Sequence, residues 1–371
     1  MSHLQLKSLT KKYKKDTVVD AVNLSVNEAE TLVLFGPSGA GKTVLLRLIA
    51  GVVEPDAGTV EIDQEDMTEV EAEHRGLGMA FQNFALFPHM SAFENIASPL
   101  RAAKLNKNDL KERVGDVARL LKIEHVLSHM PRALSNGQKQ RTALARALVG
   151  EPPILLLDDP LRNVDAKLRF EMRLELPSLL RGRGTTVIYV TQDYKEAMAL
   201  GDHIAVLVDG RVVQHGSPED IYLRPANLEI ARLFGDPVIN RFEVNPVAEG
   251  ENVSVALSGI ELPLHGAEPS LSGTACVLGI RPEYVSFVPE NVPGSIPVNV
   301  EAETPINEKI ITLAKTTGGR ELLVSRPART NGPDSGNAFV TIKPGSGLLF
   351  KQSSGELLHG IVNTQVTEAV A

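Results

Sequence analysis

Residues Gly36 to Thr43 read GPSGAGKT, and this octet decides the fold. It matches the pattern G-x-x-x-x-G-K-[ST], which carries meaning only between a strand and a helix. Both flanks have that character. Thr31 to Phe35, TLVLF, is a β-type apolar run, and Val44 to Ala50, VLLRLIA, is a helical run that Gly51 is placed to terminate. Gly36, Gly39 and Gly41 let backbone N–H groups curl around phosphate oxygens without a Cβ in the way, and Pro37, Ser38 and Ala40 complete the loop. The helix start adds the positive end of its dipole. Lys42 offers a point charge to the β- and γ-phosphates of a nucleotide, and the Thr43 hydroxyl can ligate Mg²⁺. A mere glycine-rich turn before a core helix is the alternative, and two correct flanks weigh against it.

Further along, Ile154 to Asp159 read ILLLDD. Four apolar residues ending in two acids describe a buried central strand whose C-terminal edge carries charge, the edge at which open α/β sheets bind ligands. Asp158 is placed to hold Mg²⁺ through water, and Asp159 to face an attacking water. By itself the run could equally be a strand with a solvated acidic end. With the octet it makes a nucleotide hydrolase site.

Many nucleotide hydrolases share these two features. The discriminating segment is Leu134 to Gln138, LSNGQ, followed by KQRTALARALV. Ser135 and Gln138 form an S-x-x-Q capping box, and the helix start presents Ser135, Asn136, Gly137 and Gln138 toward a phosphate. Here the sequence resembles the ATPase subunits of ABC transporters, whose LSGGQ signature opens a helix about twenty residues before the strand-end acids, as it does here. The resemblance implies that this signature serves ATP bound by the opposite subunit. It also implies roles for landmarks that fall in the family's order. Tyr13 sits where the family stacks an aromatic on adenine, and Gln82 in the loop that touches Mg²⁺ and the membrane-domain coupling helix. Asn163 and Asp165 lie in the loop that crosses the dimer interface, and Gln192 at the γ-phosphate switch position. ATP and Mg²⁺ are the implied cofactors.

The sequence departs from the family at four places. Asp159 replaces a Glu, Gln192 a His, Asn136 the first signature Gly, and Arg162 a small Ser. Asp159 is one methylene shorter, and a displacement of about 1 Å can cost roughly 10²-fold in rate. Gln192 can donate a hydrogen bond to a γ-phosphate but can neither carry charge nor shuttle a proton at neutral pH. Ser135 and Gly137 are unchanged. A usable signature beside a slow hydrolytic site suits a heterodimer whose second ATPase is a different, complete chain; a homodimer turning over slowly is the alternative. An ATP-binding regulatory subunit with little hydrolysis of its own is the rival function.

Working outward, composition shifts near Gly235. Residues 1–235 alternate strand-like and helical runs, an α/β P-loop nucleoside-triphosphatase pattern with a mostly parallel sheet and an inserted helical subdomain at about 85–150. Residues 236–371 hold 12 of the 23 prolines, carry 15 acids against 9 bases, and read as short strands broken by turns, a small all-β barrel or sandwich. Within them Gly279 to Val285, GIRPEYV, resembles a motif of the C-terminal oligonucleotide-binding-like (OB-like) domain of maltose-type and glycerol-phosphate-type sugar importers. That resemblance implies a carbohydrate or polyol-like solute, two permease subunits, an extracytoplasmic solute-binding protein and a location at the cytoplasmic face of the cell membrane. Over 371 residues the net charge is −8, which does not support a nucleic-acid partner, and the apolar runs are too short to span a bilayer. The single cysteine, Cys276, excludes an internal disulfide, and its strand-like surroundings predict a buried apolar role.

Overall fold

The computed structural model describes residues 2–162, 164–181, 184–306, 308–330, 332–333 and 336–360; Asn163 lies outside them. In chain order the first unit runs β1 (Ser2–Tyr13), β2 (Asp16–Asn27), β3 (Thr31–Phe35), α1 (Lys42–Ile49), β4 (Ala57–Ile62), β5 (Glu65–Asp66), β6 (Leu77–Ala80), α2 (Ala92–Ala102), α3 (Lys107–Leu120) and α4 (Asn136–Leu148). It continues with β7 (Ile154–Asp158), α5 (Ala166–Arg181), β8 (Thr186–Thr191), α6 (Tyr194–Leu200), β9 (His203–Val208) and β10 (Arg211–Gly216).

Strand composition explains two different sheets. β3, β7 and β8 are buried along their whole length, as a parallel sheet covered on both faces requires. They form the order β10-β9-β3-β8-β7-β6, parallel except for β10, which pairs antiparallel with β9. β2 instead alternates: Val22, Leu24 and Val26 are buried and the residues between them are exposed. It belongs to an antiparallel sheet of order β2-β1-β4-β5 that strand–helix alternation does not predict. Between the sheets Leu45, Leu46, Leu48 and Ile49 of α1 join Leu6, Leu32, Leu156 and Ile188 in one core. Helix α1 stops where Gly51 takes φ +72, the left-handed conformation that ends helices.

Helices α2, α3 and α4 follow one another between β6 and β7. Both α2 and α4 open with reciprocal capping boxes, Ser91 with Glu94 and Ser135 with Gln138. Among the described residues no helix is long and apolar enough to cross a membrane.

By compactness the chain divides between Pro218 and Glu219, ahead of the compositional shift at Gly235. The helix Leu228–Leu233 belongs with the second unit, where Ala231 packs on Ile239, Tyr284 and Phe350. Apart from that helix, the short helix Pro218–Leu223 at its start and two single 3-10 turns, the described residues of that unit form β-structure of OB-like character. Among the described residues its strands form three antiparallel sheets of four, three and five strands around a core that includes Cys276, buried as predicted. Within GIRPEYV, a Cβ at Gly279 would lie 2.8 Å from the Ile239 Cδ1 tip and 3.0 Å from the Phe350 ring, so a larger residue would have to displace that packing. Arg281 is buried, its guanidinium 3.6 Å above the Tyr222 ring and donating to the Phe234 carbonyl at 2.5 Å. The motif is therefore a packing lock of this unit.

Candidate functional site

Strand order brings the site together. The loops after β3, β6, β7 and β8 leave the same edge of the parallel sheet, because parallel strands all end on one side. A cavity of about 310 Å³ lies there, lined by Ser38 to Thr43, Gln82, Asp158, Asp159, Arg162 and Gln192, with Val18, Val44 and Val190.

The loop after β3 is held tightly. A Cβ on Gly36 would lie 2.1 Å from the Leu207 carbonyl oxygen, and one on Gly41 2.4 Å from that of Val18. Gly41 also has φ +97, costly for any other residue. It is the N-cap of α1 and makes no side-chain cap, so the first N–H groups of that helix stay available to an anion. Lys42 is buried and donates at 2.7 Å to the carbonyls of both Gly36 and Pro37. Burial lowers its pKa, with Asp159 and Asp158 acting in the opposite sense.

At the end of β7, Asp158 is 3% exposed and accepts from the Thr43 hydroxyl at 3.1 Å. Burial raises its pKa, and the Thr43 bond with the charges of Arg47 and Lys42 partly offsets this. Asp159 follows in the left-handed region at φ +50. Its N–H donates to the Val190 carbonyl at 3.0 Å, and its own carbonyl accepts from Gln140 Nε2 of α4 at 2.9 Å. Two anchors thus over-determine a strained conformation, which aims the carboxylate into the cavity. Burial raises this pKa too, opposed first by Arg162, whose Nη1 lies 3.7 Å from Asp159 Oδ2.

The loop carrying Gln192 is fixed by a buried network. Glu196 accepts from the Tyr189 hydroxyl at 2.9 Å and from Thr191 Oγ1 at 2.8 Å. Arg173 of α5 donates to Asp193 Oδ2 and lies 3.8 Å from Glu196.

The cradle that a Cβ would fill, together with a hydroxyl on a buried carboxylate, fits a triphosphate with a hard cation beside it. Such a cation would be held by Thr43, Asp158 and Gln82, all of which line the cavity. The fold does not bring every predicted residue to this place. Tyr13 closes the β1–β2 hairpin, 45% exposed, and is not among the lining residues. Ser135 and Asn136 are exposed at the start of α4, Gly137 and Gln138 are half-buried, and Asp165 is exposed before α5. None of these five lines the cavity. Gln140 and the position of Arg162 inside the cavity are additions that motif spacing gave no means to find.

A parallel sheet, a phosphate loop opening a helix, and two strand-end carboxylates define a P-loop nucleoside-triphosphatase. Comparison narrows the class. The family model described as ABC transporter matches residues 19–162. The chain is 39% identical over 340 residues to the sn-glycerol-3-phosphate import ATP-binding protein UgpC of Escherichia coli (strain K12), covering 91% of this chain and 94% of that protein. The protein of the same name from Yersinia enterocolitica is 42% identical over 286 residues, covering 77% and 79%. The dimeric structure of a post-hydrolysis state of the ATP-binding cassette MJ0796 bound to ADP and Pi superposes with a TM-score of 0.55 at 32% identity, over 58% of this chain and 98% of that one. The chain therefore belongs to the ATP-binding subunits of ABC transporters, the ATPases that drive solute import, and it resembles the glycerol-phosphate-type sugar-importer members over nearly its full length.

Proposed function

We propose that this chain is the peripheral, cytoplasmic-face ATPase subunit of an importer for a small phosphorylated polyol of the sn-glycerol-3-phosphate kind. The observation that carries the ATPase part is the single cavity holding Lys42, Thr43, Asp158 and Asp159. The solute class rests on the near-full-length likeness to import subunits for that compound.

In the mechanism, Lys42 leaves the Gly36 and Pro37 carbonyls for the β- and γ-phosphates, while the loop N–H groups and the start of α1 hold the remaining oxygens. Adenine stacks on Tyr13. Thr43, Asp158 and Gln82 would hold Mg²⁺, which would supply charge neutralisation on the phosphates. Asp159 orients the water and accepts its proton; the water attacks the γ-phosphorus, the bond to the β-phosphate oxygen breaks, and ADP and phosphate leave. Gln192 donates an amide N–H to the γ-phosphate.

The Ser135–Gln138 cap lies outside its own chain's nucleotide cavity and serves a second ATPase subunit, with Asp165 in the interface between the two. That second subunit is a different chain. What supports this is Asp159 and Gln192 in the working positions of this site, beside an intact Ser135 cap. The permease docks in the groove of about 550 Å³ beside the Gln82 loop, where Val52 and Phe87 are exposed beside Met79, Phe81 and Pro99. An extracytoplasmic binding protein delivers the solute through the permease.

The test is purification of the membrane complex through a tag on this chain, subunit counting by intact-mass spectrometry, and uptake of labelled sn-glycerol-3-phosphate. Two ATPase chains in equal amount support the paired arrangement; two copies of this chain alone sink it. Absence of any permease sinks the importer reading.

A further inference from the structure

Among the described residues lining the nucleotide cavity, the charged side chains are Lys42, Asp158, Asp159 and Arg162. Without Arg162 the carboxylates outnumber the cation two to one in a cavity that must receive a polyanion, and Gln192 adds no charge. Arg162 is also differently held from Lys42. Its backbone is fixed: its N–H donates to the Asp159 carbonyl at 3.3 Å, and its carbonyl accepts from Arg169 Nη2 of α5 at 2.9 Å. Its side chain is 53% exposed and meets Asp159 at 3.7 Å, beyond hydrogen-bond distance. A guanidinium on an anchored base, loosely paired at its tip, can change partners without moving the loop.

We propose that Arg162 is the γ-phosphate sensor of this site: it pairs with Asp159 when the γ-phosphate is absent and exchanges onto a γ-phosphate oxygen when ATP binds. The inference rests on the ATPase reading and deepens it. A phosphate oxygen offers the guanidinium a forked, charge-assisted contact that the 3.7 Å pairing with Asp159 does not. The exchange frees the Asp159 carboxylate for the attacking water only when there is a γ-phosphate to attack. It also supplies in the same chain the positive charge that Gln192 lacks. ADP, having no γ-phosphate, leaves Arg162 on Asp159.

The experiment is equilibrium binding of Mg·ATP and Mg·ADP by titration calorimetry to the full-length chain, comparing wild type with Arg162→Ser and Arg162→Lys. A charge-assisted hydrogen bond lost from a partly buried site predicts roughly a 10- to 100-fold loss of ATP affinity in Arg162→Ser. ADP affinity should stay within about twofold, which also reports that the variant is folded, and Arg162→Lys should recover part of the loss. Equal losses for both nucleotides, or no loss for either, overturn the sensor assignment and leave the ATPase reading standing. A wild-type chain that binds neither nucleotide overturns both.

Discussion

Gly36→Ala is the sharpest test of the site. The added Cβ would stand 2.1 Å from the Leu207 carbonyl oxygen, whereas ordinary contact begins near 3.4 Å. Leu207 is fully buried in β9, a strand paired on both sides within the sheet, so it cannot give way. The loop must retreat by about 1.3 Å, carrying the Lys42 and Thr43 backbone with it. A misplacement of about 1 Å costs on the order of 10²-fold, about 2.7 kcal/mol of transition-state stabilisation. The assay is ATP hydrolysis by the purified transporter complex, with kcat/KM compared to wild type and thermal unfolding followed in parallel. Gly39→Ala is the control. Its Cβ would meet nothing within 4 Å, and its φ of +84 brings only backbone strain of about 1–2 kcal/mol. It should lower Tm with a smaller effect on kcat/KM. If Gly36→Ala keeps kcat/KM within threefold of wild type, the rigid-cradle argument is wrong.

Other perturbations separate the remaining roles. Lys42→Ala should abolish ATP binding, read by titration calorimetry, since among the described residues no other lysine lines the cavity. Ser135→Ala removes a side-chain cap worth about 1 kcal/mol and should speed amide hydrogen exchange in the first turn of α4, while leaving ATP binding by the lone chain unchanged. The double change Asp159→Glu with Gln192→His should raise the hydrolysis rate of the complex; no gain would mean that these two residues do not limit it. Burial raises the Asp159 pKa in the folded chain, so the folded state binds the proton more tightly than the unfolded one. Stability of the nucleotide-free chain therefore falls as pH rises from the ordinary carboxylate range through the raised value. Asp159→Asn should accordingly raise Tm at neutral pH in the presence of a chelator, and the gain should vanish below about pH 4.

The phosphate loop, the strand-end acids and the capped signature helix were legible because each is local. A glycine pattern, an apolar run ending in Asp158 and an S-x-x-Q box act through neighbours in the chain, and short-range sterics and hydrogen bonds set them. The antiparallel sheet of β1, β2, β4 and β5 was not legible. Its central pairing, β1 with β4, joins residues as distant as Leu4 and Ile62, and the alternation in β2 is compatible with many sheets. The unit boundary was displaced for a similar reason. Proline content changes near Gly235, but the helix Leu228–Leu233 takes its side from long-range packing on Tyr284 and Phe350.

Residue type and local spacing were enough to fix the class of chemistry and to nominate groups for phosphate, cation and water. Only the tertiary structure decided which of them share a cavity. Strand order β9-β3-β8-β7-β6 gathers Lys42, Gln82, Asp158, Asp159 and Gln192 and leaves Tyr13 and Ser135 outside. The physical reason is that parallel strands far apart in the chain end on one edge of the sheet, and no local rule states which strands are neighbours.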